Sequence, residues 1–421
     1  MRVSLCWLAA SCASLWAQNA VFDRLPSVRR VPTDERIASY QKLAGADPED
    51  LHSQNLLAGA YIQKMRETTD FGYIDRADKL VLHVLSVEPA NYEALRLRSE
   101  IGLERHRFRE VAEFSRQMIG IAPDDAWNWG TLGDALMELG QYDGAAGAYQ
   151  KMVTLRPNQS SYNRASYYRW VTGDAEGAIA IMQQAIAAGS PSPENTAWCL
   201  NDLGNLYFKT GRLADAEQAY RSALRTFAGY YPAHAGLGRV QAAHGKFDDA
   251  IGSFQRAQAA VPMPEYAAAL AGLYDGAGKR TEARRQLELL DVIDKMARAN
   301  QEKTNRNLAL VFADQDRNLA RALDLAEAEL EVRGDVYTYD ALAWVLYKNG
   351  KLGEAARAAG QALQFGTPEP TFYYHAGMIA HALGNKAEAA KYLERALALN
   401  PAFDTRHAEL ARTTLLASRI H

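Results

Sequence analysis

Residues 127–157 read WNWGTLGDALMELGQYDGAAGAYQKMVTLRP, and this stretch decides the fold. Small residues stand at Gly133 and Ala145, Gly140 lies between them, and Pro157 closes the stretch. Bulky apolar residues recur at intervals of three and four, the spacing of one face of an α-helix. Because glycine accepts the left-handed backbone that ends a helix, Gly140 predicts a turn. The stretch therefore predicts two antiparallel helices that approach closely at their small residues.

The same spacing recurs along most of the chain. Prolines at 89, 123 and 157 are 34 residues apart. One ladder of small residues consists of Ser99, Gly133, Ser166, Gly204, Gly238, Ala271, Ala309, Ala343 and Gly377. A second ladder, twelve residues later, consists of Ala145, Ala178, Ala216, Ala250, Ala283, Ala355 and Ala389. Two ladders that share one period predict a stack of similar helix pairs.

This pattern resembles the tetratricopeptide repeat family. The best matches are Trp129, Leu132, Gly133, Gly140, Ala145, Tyr149 and Pro157; Leu203, Gly204, Tyr207, Gly211, Ala216, Tyr220 and Ala223; and Leu237, Gly238, Gly245, Ala250, Phe254, Ala257 and Pro262. The resemblance implies an all-α fold: a right-handed superhelical solenoid of about ten antiparallel helix pairs with a C-terminal capping helix. Two repeats depart from the pattern, with His106 in the turn of the second repeat and Asp316 and Arg321 in the eighth.

The segments at the two ends of the chain do not follow the repeat pattern. Residues 1–17 read MRVSLCWLAASCASLWA, the layout of a secretory signal peptide. The apolar run is shorter than the roughly 20 residues of a membrane span. We expect a signal peptide at 1–20, a leader with an N-terminal capping helix at 21–50, the solenoid at 51–401 and a C-terminal capping helix at 402–421. The mature chain is expected to be periplasmic or secreted without a stable membrane span; lipoprotein anchoring at Cys12 is the alternative.

The sequence contains few features that would indicate an enzyme. The repeats leave no stretch for a catalytic domain, and neither a glycine-rich phosphate loop nor His-Glu-x-x-His occurs. His375 and His381 are six residues apart, on different faces of a helix. Of the three cysteines only Cys199 would remain after export, so no intramolecular disulfide is expected, and Cys199 is interpreted as a small, half-buried packing residue. We therefore expect no enzyme, cofactor or metal, and the net charge of −3 does not favour a nucleic-acid partner.

The resemblance also implies where a partner binds. In this family the first helix of each repeat lines a concave groove. The groove positions here form two sets: a central patch of Tyr167, Trp170, Trp198, Asn201, Asn205 and Phe208, and a C-terminal patch of Tyr337, Trp344, Tyr347 and Tyr374. Aromatic residues anchor protein interfaces, and asparagine can bond the main chain of an extended peptide. The alternative is that packing buries many of these aromatic side chains.

One family subtype is excluded by its pattern. Some tetratricopeptide domains hold a terminal carboxylate with lysine and asparagine residues spread over three repeats. Asn205 matches one such position, but Asn201, Ala235 and Glu265 occupy the others. The prediction is therefore a non-enzymatic scaffold that binds protein or peptide partners of unknown identity, in envelope assembly or secretion. A regulatory or adaptor subunit of an enzyme complex is the alternative.

Overall fold

A computed structural model describes residues 31–68, 70–190, 192–299 and 304–419, and these residues form 22 helices and no strand. The helices are α1 (Thr33–Ala46), α2 (Leu51–Thr68), α3 (Gly72–Val87), α4 (Tyr92–Glu104), α5 (Phe108–Ile121), α6 (Ala126–Glu138), α7 (Tyr142–Leu155), α8 (Gln159–Val171), α9 (Ala175–Ala188), α10 (Pro193–Lys209), α11 (Leu213–Thr226), α12 (Tyr231–Ala243), α13 (Phe247–Ala260), α14 (Pro264–Gly276), α15 (Arg280–Ala299), α16 (Arg306–Asp314), α17 (Leu319–Val332), α18 (Val336–Lys348), α19 (Leu352–Ala362), α20 (Pro370–Ala382), α21 (Lys386–Leu399) and α22 (His407–Arg419). The expected signal peptide and its Cys6 and Cys12 lie outside the described residues.

Helices α2 to α21 form ten consecutive antiparallel pairs, which we number repeats 1 to 10. Within the described residues each helix packs on the next along the chain, except that α15 does not pack on α16, which instead packs on α14 and α17. Helices α1 and α22 cover the two ends. The predicted all-α superhelical solenoid is confirmed. Helix α22 begins at His407, five residues later than residue 402, where the expected capping helix starts. The reason is a cap: one carboxylate oxygen of Asp404 accepts hydrogen bonds from the backbone N–H groups of Arg406 and His407.

The two ladders of small residues lie where paired helices cross. In repeat 4 the ladders touch directly, since the Ser166 hydroxyl donates to the Ala178 carbonyl at 2.7 Å. A methyl group at Gly133 would lie 2.3 Å from the ring of Tyr149. At Gly204 it would lie 2.5 Å from the ring of Tyr220. The period therefore arises because each aromatic ring of the second helix fills the space that a side chain on the first helix would need.

The turns inside repeats 2 to 10 adopt a left-handed backbone, as the glycine pattern predicts. Gly140 has φ 71° and Gly211 has φ 74°. His106 and Asp316, in the two divergent repeats, have φ 55° and 51°. Those repeats thus keep the geometry of the turn at the cost of a strained residue.

The solenoid coils until its C-terminal half touches its middle. The last carbonyls of a helix have no partner inside that helix. Here the carbonyl of Glu138, at the end of α6, accepts from the backbone N–H of Gly334 at 2.8 Å. The carbonyl of Val171 accepts from the Thr367 hydroxyl at 2.6 Å. We call this set of contacts, between the turns of repeats 3 to 5 and the loops that follow repeats 8 to 10, the closure interface.

A third contact completes the closure interface one repeat further along. The side-chain amide of Asn400 donates to the carbonyl of Phe208 at 2.7 Å. The turn glycines leave room for this contact: a methyl group at Gly140, Gly173 or Gly211 would lie within 3.0 Å of a backbone carbonyl oxygen of the C-terminal half. Three helix ends in successive repeats are therefore capped by residues about 190 positions away in the sequence.

His106 lies beside this interface and is expected to make stability depend on pH. Burial, with the positive charges of Arg333 and Arg306, lowers the pKa of His106 from its ordinary 6.5 to about 4. The folded chain holds the neutral ring, whereas the unfolded chain takes up a proton near pH 6.5. The stability from neutral His106 is therefore complete above pH 6.5 and is lost progressively as the pH falls to about 4.

We expect the melting temperature to fall more steeply across this pH range in the wild type than in His106→Gln. Differential scanning calorimetry of both proteins measures it, and the variant controls for every other titrating group. Parallel falls in the two proteins would show that His106 takes up its proton equally well in the folded state.

Candidate partner-binding site

A cavity of about 1120 Å³ lies inside the first half of the superhelix. It is lined mainly by the first helices of repeats 1 to 5, namely α2, α4, α6, α8 and α10. Tyr149 of α7, the first two residues of α12, and loop residues 71, 156–158, 189–190 and 230 complete the wall. This is the concave groove that the resemblance implies. Most small-molecule sites are smaller, about 300–1,000 Å³.

One rim of the groove is bridged between repeats 1 and 5. The Arg66 guanidinium donates to the side-chain oxygen of Asn195 at 3.1 Å and lies 3.8 Å from the Glu194 carboxylate. The Gln63 amide also reaches Glu194, at 3.5 Å. Glu194 is only 3% exposed, and burial raises the pKa of its carboxyl more than Arg66 lowers it. The bridge turns an open groove into a chamber with a defined mouth.

The inner end of the chamber is closed by the C-terminal half. A second cavity of about 230 Å³ shares Tyr167, Asp202 and Asn205 with the first. Here the Trp170 indole N–H donates to the Tyr337 hydroxyl at 2.9 Å. This bond joins the central patch to the C-terminal patch.

Lys209 is the charged residue of this inner wall. Its Nζ lies 2.6 Å from the Glu369 carboxylate and 5.4 Å from the ring centres of both Trp170 and Tyr337. Burial lowers the pKa of Lys209, but the charge and hydrogen bond of Glu369 together with Tyr337 and Asp202 outweigh it, so the pKa is raised and the ammonium stays charged. The ion pair ties repeat 5 to the loop before repeat 10.

Carboxylates dominate the charge of the chamber. Its lining includes six acidic residues, Glu100, Glu104, Asp134, Glu138, Glu194 and Asp202, against three basic ones, Arg66, Arg156 and Arg164. Glu100 and Glu104 share one face of α4, four residues apart. Asp134 and Glu138 occupy the same positions one 34-residue period later, on α6. The sequence carries this regular acidic pattern, although the two patches of groove residues expected from it consist of aromatic residues and asparagines only.

Some of these carboxylates have a cation and some do not. Arg164 holds Asp134 with two nitrogens, at 2.8 and 2.7 Å, and Arg333 lies 2.9 Å from Glu138. Within the described residues, Glu100 and Glu104 form no ion pair, and neither does Asp202.

Burial raises the pKa of all three unpaired carboxyls. The positive charges of Arg66, Arg96 and Arg164 partly offset this at Glu100. The charge of Glu100 raises the pKa of Glu104 further, although Arg66 opposes it. At Asp202 the charge of Lys209 and a hydrogen bond from Asn205 act against burial. The unpaired carboxylates therefore cost free energy in the unbound chain.

The aromatic residues of the central patch differ in their exposure to solvent. Trp170 and Phe208 are buried in the core, and Tyr167 is partly buried. Trp198 is 38% exposed and lines the chamber. Phe71, which the sequence analysis missed, is 54% exposed and lines the chamber as well. Trp198 and Phe71 are thus the exposed aromatic residues that a partner would meet.

The two asparagines of the central patch differ in their hydrogen bonds. The side-chain oxygen of Asn205 accepts from the Tyr220 hydroxyl and from Arg239, and its amide donates to Asp202. Asn205 is therefore engaged inside the solenoid. Asn201 is 9% exposed, and its side-chain oxygen has no hydrogen-bond partner among the described residues. Because Asn201 lines the chamber, this oxygen is available to a donor on a partner.

The C-terminal patch is mainly core. Trp344 and Tyr374 are buried, and Trp344 stacks on Tyr347 and on His375. The Trp344 indole donates to Asp314 at 2.7 Å. Tyr337 of this patch lines the second, smaller cavity. Trp344 and Tyr374 are therefore packing residues, like Trp170 and Phe208. For these four aromatic residues the alternative interpretation, burial by packing, is the correct one.

Cys199 is completely buried, rather than half-buried as the sequence suggested. Burial raises the pKa of its thiol to about 12, which makes it a poor nucleophile. Among the described residues there is no group of three metal-ligating side chains. In the same part of the chain no helix is both long and apolar enough to cross a membrane.

The stacked helix pairs and their groove define a helical repeat protein. Family models described as tetratricopeptide repeat match residues 128–159, 158–228, 201–263 and 341–402. The chain therefore contains tetratricopeptide repeats over these residues, as its ladders of small residues indicated.

Comparisons with individual proteins add likenesses of limited extent. Protein FlbA of Caulobacter vibrioides is 29% identical over 137 residues, which is 32% of this chain. The chain spans 22% of that protein. Among solved structures, PilW, a type IV pilus biogenesis factor, matches 47% of this chain and 91% of its own at 15% identity and TM-score 0.42. Yeast Tom70 matches 92% and 93% at 12% identity and TM-score 0.38.

Proposed function

We propose that this chain is a scaffold that binds a segment of another protein inside the chamber of repeats 1 to 5. The carrying observation is the chamber itself: about 1120 Å³, with Trp198 and Phe71 exposed at its wall and an unpartnered oxygen on Asn201. Exposed aromatic side chains anchor protein interfaces, and a buried acceptor without a donor favours binding of a donor.

We further propose that the scaffold acts outside the cytoplasm, in envelope assembly or secretion, without catalysis of its own. The location outside the cytoplasm rests on residues 1–20, which resemble a signal peptide. The absence of catalysis rests on the repeats, which leave no stretch for a catalytic domain. Mass spectrometry of the protein from its own cells tests the export step. A mature N-terminus between residues 18 and 21 is expected, and an intact residue 1 would contradict export.

Photo-crosslinking in the native cell tests the binding site. A benzoylphenylalanine at position 198 or 71 is expected to capture a polypeptide that mass spectrometry then identifies. Phe247 is a matched control, because it is an aromatic residue 50% exposed and outside the chamber. Capture from position 247 as strong as from 198 and 71 would contradict a groove site. An enzyme among the captured partners would favour the adaptor function.

A further inference from the structure

The charge distribution of the chamber indicates what kind of segment it takes. We infer that the chamber binds a cationic polypeptide segment, rich in lysine or arginine, against Glu100, Glu104 and Asp202. This inference deepens the proposed function and rests on it. Three observations carry it: unpaired carboxylates, an unmet acceptor and the size of the chamber.

The unpaired carboxylates favour the binding of a positively charged group. Glu100 and Glu104 lie one helical turn apart on α4, and Asp202 lies on α10, which lines the same chamber. None of the three has an ion-pair partner within the described part of the chain, while the neighbouring Asp134 has Arg164. A lysine or arginine that enters would form ion pairs without displacing existing ones. An acidic segment would meet a surplus of like charge.

Asn201 supplies the second, independent observation. Its side-chain oxygen is buried and lacks a donor, one turn of α10 from Trp198 and beside Asp202. Such an oxygen is costly until an N–H or an ammonium group bonds to it. A peptide backbone or a lysine side chain provides that donor, so the same wall presents an acceptor and a carboxylate.

The size of the chamber favours a polypeptide over a small cation. Its 1120 Å³ exceeds the usual range for small-molecule sites. Trp198 and Phe71 add apolar surface, and Trp127 already holds a guanidinium, since Arg96 lies 4.7 Å from its ring centre. Arginine or lysine stems of a partner would pack on such rings while their charges reach the carboxylates.

Binding of short fluorescent peptides to the purified full chain tests the inference. The probes are a Lys-Ser-Gly repeat and its counterparts with glutamine or glutamate in place of lysine. The lysine peptide is expected to bind about tenfold or more tightly than the others at low salt, and to weaken as salt is added. Equal binding of the three probes would overturn the charge assignment.

Variants locate the site. Glu100→Gln with Glu104→Gln is expected to weaken the lysine peptide about tenfold or more, because it removes two close charge partners. The control is Glu110→Gln with Glu113→Gln, which removes the same charge from exposed positions on α5 and should change binding less than about twofold. Unaltered binding in the first variant would place the cation elsewhere and overturn the proposal. Its fold is not at risk, because uncharged glutamines relieve a burial cost.

A small polycation distinguishes the source of the charge. Spermidine is expected to compete with the lysine peptide only at much higher concentration; competition at equal charge concentration would mean a polyamine site instead. If the lysine peptide fails while positions 198 and 71 capture a neutral or acidic segment, the charge inference is wrong and the scaffold function stands. If position 247 captures partners as well as they do, the groove function itself is wrong.

Discussion

Replacing Lys209 by methionine is expected to destabilise the chain by about 3 kcal/mol or more, because it leaves a carboxylate buried without its partner. Lys209 is 25% exposed and Glu369 9%, with 2.6 Å between their charged atoms. Adding Glu369→Gln should recover most of the loss, since the uncompensated charge is then gone. Urea unfolding followed by circular dichroism measures the free energy of unfolding for both single variants and the double variant.

The control for this cycle is an exposed pair. Arg221 lies 2.6 Å from Glu217 on α11, but its side chain is 55% exposed. Arg221→Met is expected to cost less than about 0.5 kcal/mol. Additive losses in Lys209→Met and Glu369→Gln, with no recovery in the double variant, would contradict an ion pair that holds the closure interface.

The second large effect concerns the small-residue ladder. Gly204→Ala is expected to destabilise the chain by about 1–3 kcal/mol, because the new methyl group would lie 2.5 Å from the buried ring of Tyr220. That ring has little room to move, since its hydroxyl donates to Asn205 at 2.9 Å. Thermal and urea unfolding measure the loss.

Gly147→Ala is the matched control and should act in the opposite direction. Gly147 lies within α7, and no atom is within 4 Å of a methyl group built there. Alanine there removes backbone freedom from the unfolded chain and should stabilise the protein by about 0.5–1 kcal/mol. If both glycines responded alike, the ladder would reflect composition rather than close helix packing.

The fold could be predicted from sequence because its causes are local and repeated. Gly133 faces Tyr149 sixteen residues later, and Gly204 faces Tyr220 at the same spacing. Each repeat uses the same packing of a small residue against a bulky one, so one short sequence pattern, found many times, predicts the whole series of helix pairs. The turn at Gly140 followed from the same regularity.

The closure interface could not be predicted in this way. Its partners, such as Glu138 with Gly334 and Val171 with Thr367, are about 190 residues apart and share no periodic signal. They meet because small rotations between repeats accumulate along the superhelix. The same coiling decides which groove aromatics are buried: Trp170 meets Tyr337 across the interior, whereas Trp198 remains at the chamber wall.

The acidic lining of the chamber could be predicted from the sequence only in part. Glu100 and Asp134 are 34 residues apart, as are Glu104 and Glu138, so the repeat itself carries the pattern. A search for groove residues by charge as well as by aromatic character would have found them. What the sequence could not supply is which of them lack a partner, because Arg333 reaches Glu138 only through the closure interface.

The chamber is bounded only if the superhelix closes on itself. Electron-electron distance measurement between spin labels at positions 176 and 364 tests this directly. Both residues are exposed, and they flank the contact between Gly173 and the Phe365 carbonyl. With Cys6 and Cys12 replaced by serine, buried Cys199 should remain unlabelled. A narrow distribution below about 25 Å is predicted from the short chain distance of each label to that contact. A broad distribution beyond about 40 Å, as several helix diameters of about 10 Å between the labels would give, would contradict the closed superhelix.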